Sequence, residues 1–271
     1  MTRNELINQI KKKKSYLCIG LDPDTEQMPL FFSGFRHPLF EFNRMIIDAT
    51  YDISVAYKPN FAFYEAFGSK GIDQLKKTIR YIRKNYPDLL IIADAKRGDI
   101  GNTSKMYARE IFKNLDCDAV TLSPYMGKDS IEPFLSYSGK WVIVLAVTSN
   151  TGSEDFQMLK TYDNRHLYEK VIEKAMKWGT ADNMMFVTGA TQPFALADIR
   201  SMAPTHFFLV PGVGQQGGNL EAVSKAGLIK NEGGLLVNAS RNILYASKEK
   251  NFNEKAREVA LVIQQEMKNF L

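Results

Sequence analysis

The chain has 271 residues, of which 45% are hydrophobic and 24% charged, and its formal net charge at pH 7 is +5. This composition is typical of a globular protein with a sizeable core, and no run approaches the roughly 18 apolar residues of a membrane span. The basic N-terminal segment lacks the apolar stretch of a signal peptide, and no nucleic-acid-binding module accompanies the positive charge. We therefore predict a cytoplasmic protein that binds neither membrane nor nucleic acid, with a positive surface that helps to attract a small anion.

Short apolar runs recur along the chain, and an amphipathic helical pattern follows each of them. Near-continuous apolar runs of this length are typical of parallel strands covered by helices. Their alternation with helices favours a (β/α)8 TIM barrel over an open sheet, and no linker or composition shift divides residues 1–271 into more than one domain. Two long loops, 22–40 and 148–165, are expected at the active-site rim. The predicted strands are 15–21, 53–58, 89–95, 118–123, 141–147, 183–189, 206–212 and 234–240.

Charged side chains stand where three of the predicted strands end. Asp22 follows the first strand, Lys58 ends the second, and Asp94 and Lys96 lie at the end of the third. A regular strand places Asp94 and Lys96 on one face, because its side chains alternate between the two faces. One such charge is more often part of a surface salt bridge, but in a barrel all these strand ends meet at one mouth. We therefore predict a charged site there, with further polar residues nearby: Asp99, Ser123, Thr148, Ser149 and Arg241.

A glycine-rich segment, 211–218, follows the seventh strand. Gly212, Gly214 and Gly217 match the G-x-G-x-x-G pattern of dinucleotide-binding folds, but the acidic residue expected about 20 positions later is missing. In barrels, the loops after the seventh and eighth strands commonly hold a phosphate group. We therefore predict a phosphate site at this loop, with Arg241 after the eighth strand as its cation.

Other catalytic signatures are weak. His37, His166 and His206 are scattered and form no pair with metal-ligand spacing, and no G-x-S-x-G motif is present. Cys18 and Cys117 lie in or beside apolar runs, where reduced structural thiols are expected. We therefore predict neither a histidine metal site nor a serine hydrolase.

The charged stretch after the third strand carries a family resemblance. Its pattern, Asp94-x-Lys96-x-x-Asp99-Ile100-x-x-Thr103, resembles the signature of the orotidine 5′-phosphate decarboxylase family, most closely its longer bacterial subgroup. One departure is the threonine in the segment "TSNTG", where that subgroup has proline. The resemblance covers essentially the whole chain, with further similar segments at 21–24, 58–65, 148–153, 211–218 and 238–242.

The resemblance implies decarboxylation of orotidine 5′-monophosphate (OMP) to UMP in pyrimidine biosynthesis, without a cofactor or metal. It implies that Lys96 donates a proton to C6 of the pyrimidine, that Asp94 faces the substrate carboxylate, and that Lys58 completes an alternating Lys-Asp-Lys-Asp array. It also implies a homodimer in which Asp99 and Thr103 act across the interface. The family's substrate-binding positions correspond to Asp22 and Asp99 at the ribose hydroxyls, Ile100 and Thr103 in the signature, Ser149 at the pyrimidine amide edge, and Gln216 and Arg241 at the phosphate.

Electrostatics explains why such a reaction would use these charges. Loss of carbon dioxide leaves negative charge on a ring carbon with no electron sink, so an enzyme without a cofactor must stabilise that charge with fixed groups. An ammonium group does so, and a neighbouring carboxylate keeps it charged and repels the substrate carboxylate. One close charge pair at an effective dielectric constant of about 20 contributes about 4 kcal/mol, whereas the largest enzymatic accelerations require roughly 20 kcal/mol. We therefore expect binding of the remote phosphate to drive loop closure and organise the site.

Three alternatives remain open from the sequence. A magnesium-dependent sugar-phosphate decarboxylase or aldolase on the same barrel shares the Asp-x-Lys-x-x-Asp motif, but it would need an acidic residue where Lys58 stands. A Schiff-base lyase would need a neutral lysine, whereas Asp94 and Asp99 favour the charged form of Lys96. A catalytically inactive barrel that only binds nucleotides or partners is disfavoured because every expected charged position is filled.

Overall fold

Eight parallel strands close into a barrel in the computed structural model, and β1 pairs with both β2 and β8. The structure describes residues 1–189, 193–212 and 219–271, with only the backbone of residues 193 and 194. The strands are β1 (Leu17–Leu21), β2 (Ala56–Pro59), β3 (Leu90–Arg97), β4 (Ala119–Leu122), β5 (Trp141–Val147), β6 (Met184–Thr188), β7 (Phe207–Pro211) and β8 (Leu235–Ala239). The α-helices of the described residues are α1 (Arg3–Lys13), α2 (Pro38–Thr50), α3 (Ala62–Glu65), α4 (Gly68–Asn85), α5 (Gly101–Arg109), α6 (Lys128–Leu135), α7 (Leu167–Ala175), α8 (Pro193–Met202), α9 (Leu220–Gly227), α10 (Arg241–Leu244) and α11 (Phe252–Lys268).

The (β/α)8 fold class predicted from the sequence is confirmed, because each predicted strand overlaps an observed one. Nearly all strand residues are buried, since helices cover the outside of the barrel and side chains fill its interior. The loop predicted at 22–40 is shorter than expected. It contains a 3-10 helix, Leu30–Gly34, and ends where α2 begins at Pro38, because the fixed φ of proline suits the first turn of a helix.

The helices pack on the barrel through one apolar face. In α4, the buried residues Leu75, Ile79 and Ile82 are three or four positions apart, which places them on one side of the helix. The first helix begins with a capping box, in which the side chains of Thr2 and Glu5 satisfy free backbone amides. Within the described residues, no helix combines the length and the hydropathy needed to cross a membrane.

A half-buried arginine joins the segments that lead into β7 and β8. Arg200 in α8 donates hydrogen bonds to the carbonyl oxygens of Gly227, Gly234 and His206, and its guanidinium carbon lies 3.8 Å from the ring centroid of Phe208. No carboxylate of the described chain pairs with this arginine, and burial lowers its pKa to about 9. The ring nitrogens of His206 are buried without a hydrogen-bond partner among the described residues. Burial and the neighbouring Arg200 lower the pKa of His206 to about 4.

Candidate active site

Three charged side chains form a continuous array at the C-terminal mouth of the barrel. Asp94 Oδ2 lies 2.6 Å from Lys58 Nζ, and Asp94 Oδ1 lies 2.7 Å from Lys96 Nζ. Lys58 and Asp94 are 5% and 8% exposed, whereas the Lys96 side chain is 51% exposed. The array therefore has a buried end at Lys58 and an accessible end at Lys96.

Mutual attraction keeps the buried members of this array charged. Burial on its own raises the pKa of Asp94, but Lys58 and Lys96 outweigh burial and hold that pKa well below its usual range. Burial on its own lowers the pKa of Lys58, but Asp94 and Asp22 outweigh it and raise that pKa above its usual value. Both groups are charged near neutral pH, so the site presents a fixed pattern of charge to a ligand.

A register shift between β3 and β4 places Lys96 in the array. Ala93 pairs with Val120 and Arg97 pairs with Leu122, so that residues 94–96 of β3 lie opposite one residue of β4. Lys96 has a φ of +44°, in the left-handed region that disfavours residues with a side chain. Asp94 and Lys96 meet as predicted, but the cause is this bulge rather than the regular alternation of a strand.

The residue opposite the bulge is Thr121, which is 1% exposed. Its Oγ1 accepts a hydrogen bond from the Lys96 backbone amide at 3.0 Å and donates one to Asp94 Oδ1, also at 3.0 Å. Ser123 directly follows β4, as predicted, and its backbone amide donates a hydrogen bond to the carbonyl oxygen of Arg97 at 2.8 Å.

A cavity of about 250 Å³ opens beside Lys58. Asp22 Oδ1 is buried at this end of β1 without a hydrogen-bond partner among the described residues. A buried acceptor of this kind suits a hydroxyl donor from a ligand. Gly20 is required nearby, because a Cβ atom there would lie 1.8 Å from Ser240 Oγ. The polar lining of the cavity includes Asp22, Lys58, Asn60, Ser149, Asn238 and Arg241.

Arg241 begins the short helix α10 directly after β8. Its side chain is exposed and has no ion-pair partner within the described part of the chain, so the guanidinium is available to an anion. Tyr245 ends the same helix. Its hydroxyl donates a hydrogen bond to the carbonyl oxygen of Asp22 at 2.6 Å and accepts one from the Asp24 amide at 2.7 Å. The Arg241 side of the cavity is therefore linked to the backbone beside Asp22.

Ser149 forms part of the opposite wall, just after β5. A Cβ atom on Gly189 would lie 2.9 Å from both the nitrogen and the Cα of Ser149, so only glycine allows the end of β6 to approach this closely. Gln157 anchors the same loop, because its Oε1 accepts a hydrogen bond from the Thr148 amide at 2.8 Å. These contacts hold the Ser149 backbone beside the cavity.

The other predicted site residues do not join the array within this chain. Asp99 is half-buried, and its Oδ1 accepts a hydrogen bond from the Ile100 amide at 2.8 Å. Ile100 is 47% exposed, and Thr103 is exposed on α5. Gln216, with the surrounding loop 213–218, lies outside the described residues.

Several polar residues of the site were not indicated by the sequence pattern. Thr121 and Asn238 lie within buried strands, and Asn60 and Ser240 directly follow strands. A polar side chain inside an apolar run costs free energy unless it is hydrogen-bonded, and Asn238 Nδ2 donates to Ser240 Oγ at 3.2 Å. Interruption of the apolar runs in β4 and β8 is the signal that could have indicated the two strand residues.

The fold and the site define a class of protein: a (β/α)8-barrel enzyme with a fixed Lys-Asp-Lys array and an arginine suited to an anionic substrate. The sequence profile of the Orotidine 5'-phosphate decarboxylase / HUMPS family matches residues 15–256. The orotidine 5′-phosphate decarboxylase of Flavobacterium johnsoniae is 55% identical over 267 residues, which cover 98% of this chain and 97% of that protein. The chain belongs to the orotidine 5′-phosphate decarboxylase / HUMPS family, as its sequence pattern predicted.

Solved structures agree with this assignment. A putative orotidine-monophosphate decarboxylase from Toxoplasma gondii is 34% identical with a TM-score of 0.85, and the match covers 98% of each chain. The UMP synthase of Leishmania donovani is 41% identical with a TM-score of 0.82. That match covers 96% of this chain but 56% of the synthase, so the present chain corresponds to a little over half of it.

Proposed function

We propose that Lys58, Asp94 and Lys96 carry out the decarboxylation of OMP to UMP, the reaction after which the relatives are named. The observation that supports these roles is the ion-paired array, in which Lys96 is the accessible cation. The activity itself follows from family membership and the full-length relatives: the enzyme is a carboxy-lyase of pyrimidine biosynthesis.

In the proposed mechanism, Lys96 supplies both positive charge and a proton. The bond between C6 and the carboxylate breaks, its electron pair stays on C6, and carbon dioxide leaves. The Lys96 ammonium stabilises the carbanion and then transfers a proton to C6. Asp94 orients the ammonium through the 2.7 Å contact and repels the substrate carboxylate, so that departure of carbon dioxide relieves the repulsion.

The remaining groups of OMP would bind around the cavity. The unpartnered Oδ1 of Asp22 suits a ribose hydroxyl, and Ser149 on the opposite wall suits the amide edge of the pyrimidine. Arg241 is the proposed phosphate ligand, because its guanidinium is exposed and can form two parallel hydrogen bonds to phosphate oxygens. Gln216 is proposed as the second phosphate ligand on the resemblance alone.

We also propose a homodimer in which Asp99, Ile100 and Thr103 of one subunit complete the site of the other. The segment that carries them lies beside the loop after β4. Gly98 approaches Ser123 so closely that a Cβ atom on Gly98 would lie 3.1 Å from Ser123 Cβ. Exposed apolar clusters of this kind mark protein interfaces. Large hydrophobic residues exposed on these two segments are Ile100, Met106, Tyr107, Tyr125 and Met126.

Mixing two inactive variants tests the shared site. Lys96→Ala and Asp99→Ala should each abolish activity in homodimers. If Asp99 acts across the interface, a heterodimer has one intact site, and random exchange of equal amounts should restore about a quarter of the wild-type activity. Mixtures that stay inactive, although exchange is shown by native mass spectrometry, would contradict the shared site.

The proposed role of Lys96 is tested by Lys96→Ala. Turnover, followed by the loss of OMP absorbance, should fall by more than about a thousandfold, while UMP binding remains measurable by calorimetry. Lys230→Ala is a suitable control, because Lys230 is exposed in the loop that leads into the N-terminal end of β8. Decarboxylation retained by Lys96→Ala would refute the donor role.

The magnesium-dependent alternative is not favoured. The position that would need an acidic ligand holds Lys58, whose ammonium repels a divalent cation. Among the described residues, no three histidine, cysteine, aspartate or glutamate side chains are grouped as metal ligands. Full activity in the presence of a chelator is the expected result.

Cytoplasmic residence stays a prediction, and the free, buried thiols of Cys18 and Cys117 are consistent with it.

A further inference from the structure

We infer that Thr121 is a positioning residue for the decarboxylation: its hydroxyl holds the backbone of Lys96 in the conformation that brings the Lys96 ammonium to Asp94. This inference rests on the proposed role of Lys96 as the proton donor. Thr121 acts through Lys96 and Asp94, so it is not itself a catalytic residue. No motif of the charged stretch 94–103 includes it, because it belongs to the next strand.

The bulge in β3 creates the need for such a residue. Between the pairs Ala93–Val120 and Arg97–Leu122, residues 94–96 face Thr121 alone, so Lys96 has no backbone partner in the register of the ladder. A backbone amide that leaves the ladder loses its backbone acceptor and needs another partner where water does not reach it. The Lys96 amide donates to Thr121 Oγ1 at 3.0 Å, so a side chain replaces the missing backbone carbonyl.

The same hydroxyl also reaches the charged array. Thr121 Oγ1 donates to Asp94 Oδ1 at 3.0 Å, and Lys96 Nζ lies 2.7 Å from that same oxygen. These contacts close a ring that runs from the Lys96 amide through Thr121 and Asp94 to the Lys96 ammonium. The hydroxyl uses its single proton for Asp94 and a lone pair for the Lys96 amide, so both hydrogen bonds depend on the Oγ1 atom of Thr121.

Two further observations explain why this ring matters. Lys96 has a φ of +44°, which a residue with a side chain adopts only where its surroundings hold it there. Thr121 is 1% exposed, so water cannot readily replace its hydroxyl. Without the hydroxyl, nothing else in the described contacts holds the Lys96 amide, and the position of the ammonium depends on its ion pair with Asp94 alone. A displacement of about 1 Å at a reacting group can cost roughly a hundredfold in rate.

Two substitutions at the same position separate the hydroxyl from the packing. Thr121→Val keeps the branched shape and removes both hydrogen bonds, whereas Thr121→Ser keeps the hydroxyl and removes one methyl group. We expect Thr121→Val to lower kcat by about a hundredfold, with little change in KM or in UMP affinity, because the phosphate and ribose groups bind elsewhere. Thr121→Ser should retain a kcat close to that of the wild type.

Thr78→Val is the matched control for loss of a buried hydroxyl. Thr78 lies in α4 and is fully buried, and its Oγ1 donates to the carbonyl oxygen of Gln74 at 2.9 Å and accepts from Asn43 Nδ2 at 3.2 Å. It should lower the Tm without lowering kcat. A wild-type kcat for Thr121→Val, equal losses in the valine and serine variants, or an equal loss in Thr78→Val would overturn the inference.

Lys96→Ala, assayed in parallel, distinguishes failure of this inference from failure of the proposed mechanism. If Lys96→Ala is inactive while Thr121→Val has full activity, the positioning role of Thr121 alone is refuted. If Lys96→Ala retains activity, the donor role on which the inference rests is refuted, whatever the Thr121 variants show.

Discussion

Replacing Asp94 with asparagine would remove the negative charge of the array while nearly preserving its shape. Lys58 and Lys96 would then share a site with a neutral amide between them, and Lys58 would remain 5% exposed. Two charge pairs at 2.6 and 2.7 Å are lost in this variant. We expect a large decrease in stability as well as loss of decarboxylation.

The magnitude follows from the distances and the burial. At an effective dielectric constant of about 20, each pair attracts by roughly 6 kcal/mol, but much of this only offsets the cost of removing the ions from water. Removing one partner of a buried pair typically costs about 3–5 kcal/mol, because the other charge stays buried. In a protein of this size, that loss lowers the Tm by roughly 10 °C.

The pH dependence gives a second signature. Folding lowers the pKa of Asp94, so its stabilising contribution is present above the unfolded value of 3.8 and lost as the pH falls through the folded value. Folding raises the pKa of Lys58, so its contribution is present below 10.5 and lost as the pH rises through the folded value. In Asp94→Asn, burial should instead lower the pKa of Lys58 below 10.5. The free energy of unfolding of the variant should therefore increase as the pH rises towards 10.5. The wild type should not show this increase.

Urea unfolding followed by circular dichroism, at pH 7 and at pH 9.5, measures both effects. Asp182→Asn is the control, because it makes the same chemical change at an exposed carboxylate just before β6, at the N-terminal end of the barrel. It should change the free energy of unfolding by no more than about 0.5 kcal/mol. If Asp94→Asn and Asp182→Asn unfold at the same urea concentration, the array does not stabilise the fold as described.

Three further predictions concern the walls and the base of the barrel. Arg241→Ala should weaken UMP binding by about ten- to a hundredfold and leave uridine binding unchanged, and calorimetry showing equal losses for both ligands would contradict a phosphate role. Gly189→Ala should displace Ser149 and lower the free energy of unfolding by about 1–3 kcal/mol, as measured with urea. An unchanged urea midpoint would show that the end of β6 can move away from Ser149. Folding lowers the pKa of His206 from 6.5 to about 4. The free energy of unfolding of the wild type should therefore fall by about 2 kcal/mol as the pH drops through this interval, a value that allows for solvent screening. His206→Phe should remove this part of the acid sensitivity, and identical pH profiles for the two proteins would refute the assignment.

The barrel and the ends of its strands could be predicted because burial dictates both. Strands covered on two faces must be apolar along their length, so the runs at β5 and β7 are visible in the sequence. Parallel strands also end at one mouth, which is why Lys58 and Asp94 could be expected to meet before any coordinates were known.

The bulge at Lys96 could not be predicted in the same way. Hydrophobic periodicity describes side chains, whereas the register shift concerns backbone hydrogen bonds, and its partner Thr121 lies 25 residues from Lys96 in the chain. The geometry around Asp99 could not be predicted for a different reason. If its proposed partner is a second subunit, no pattern within one chain specifies the distance between them.

The hydroxyl of Tyr245 ties α10 to the loop after β1. One end of this four-residue helix carries Arg241, and the other is bonded to the main chain on both sides of Pro23. If Arg241 binds the phosphate as proposed, the ligand is therefore held at a helix that is bonded to the start of the loop after β1. A single phenol and one turn of helix thus join the proposed phosphate ligand to the backbone that carries the proposed ribose ligand.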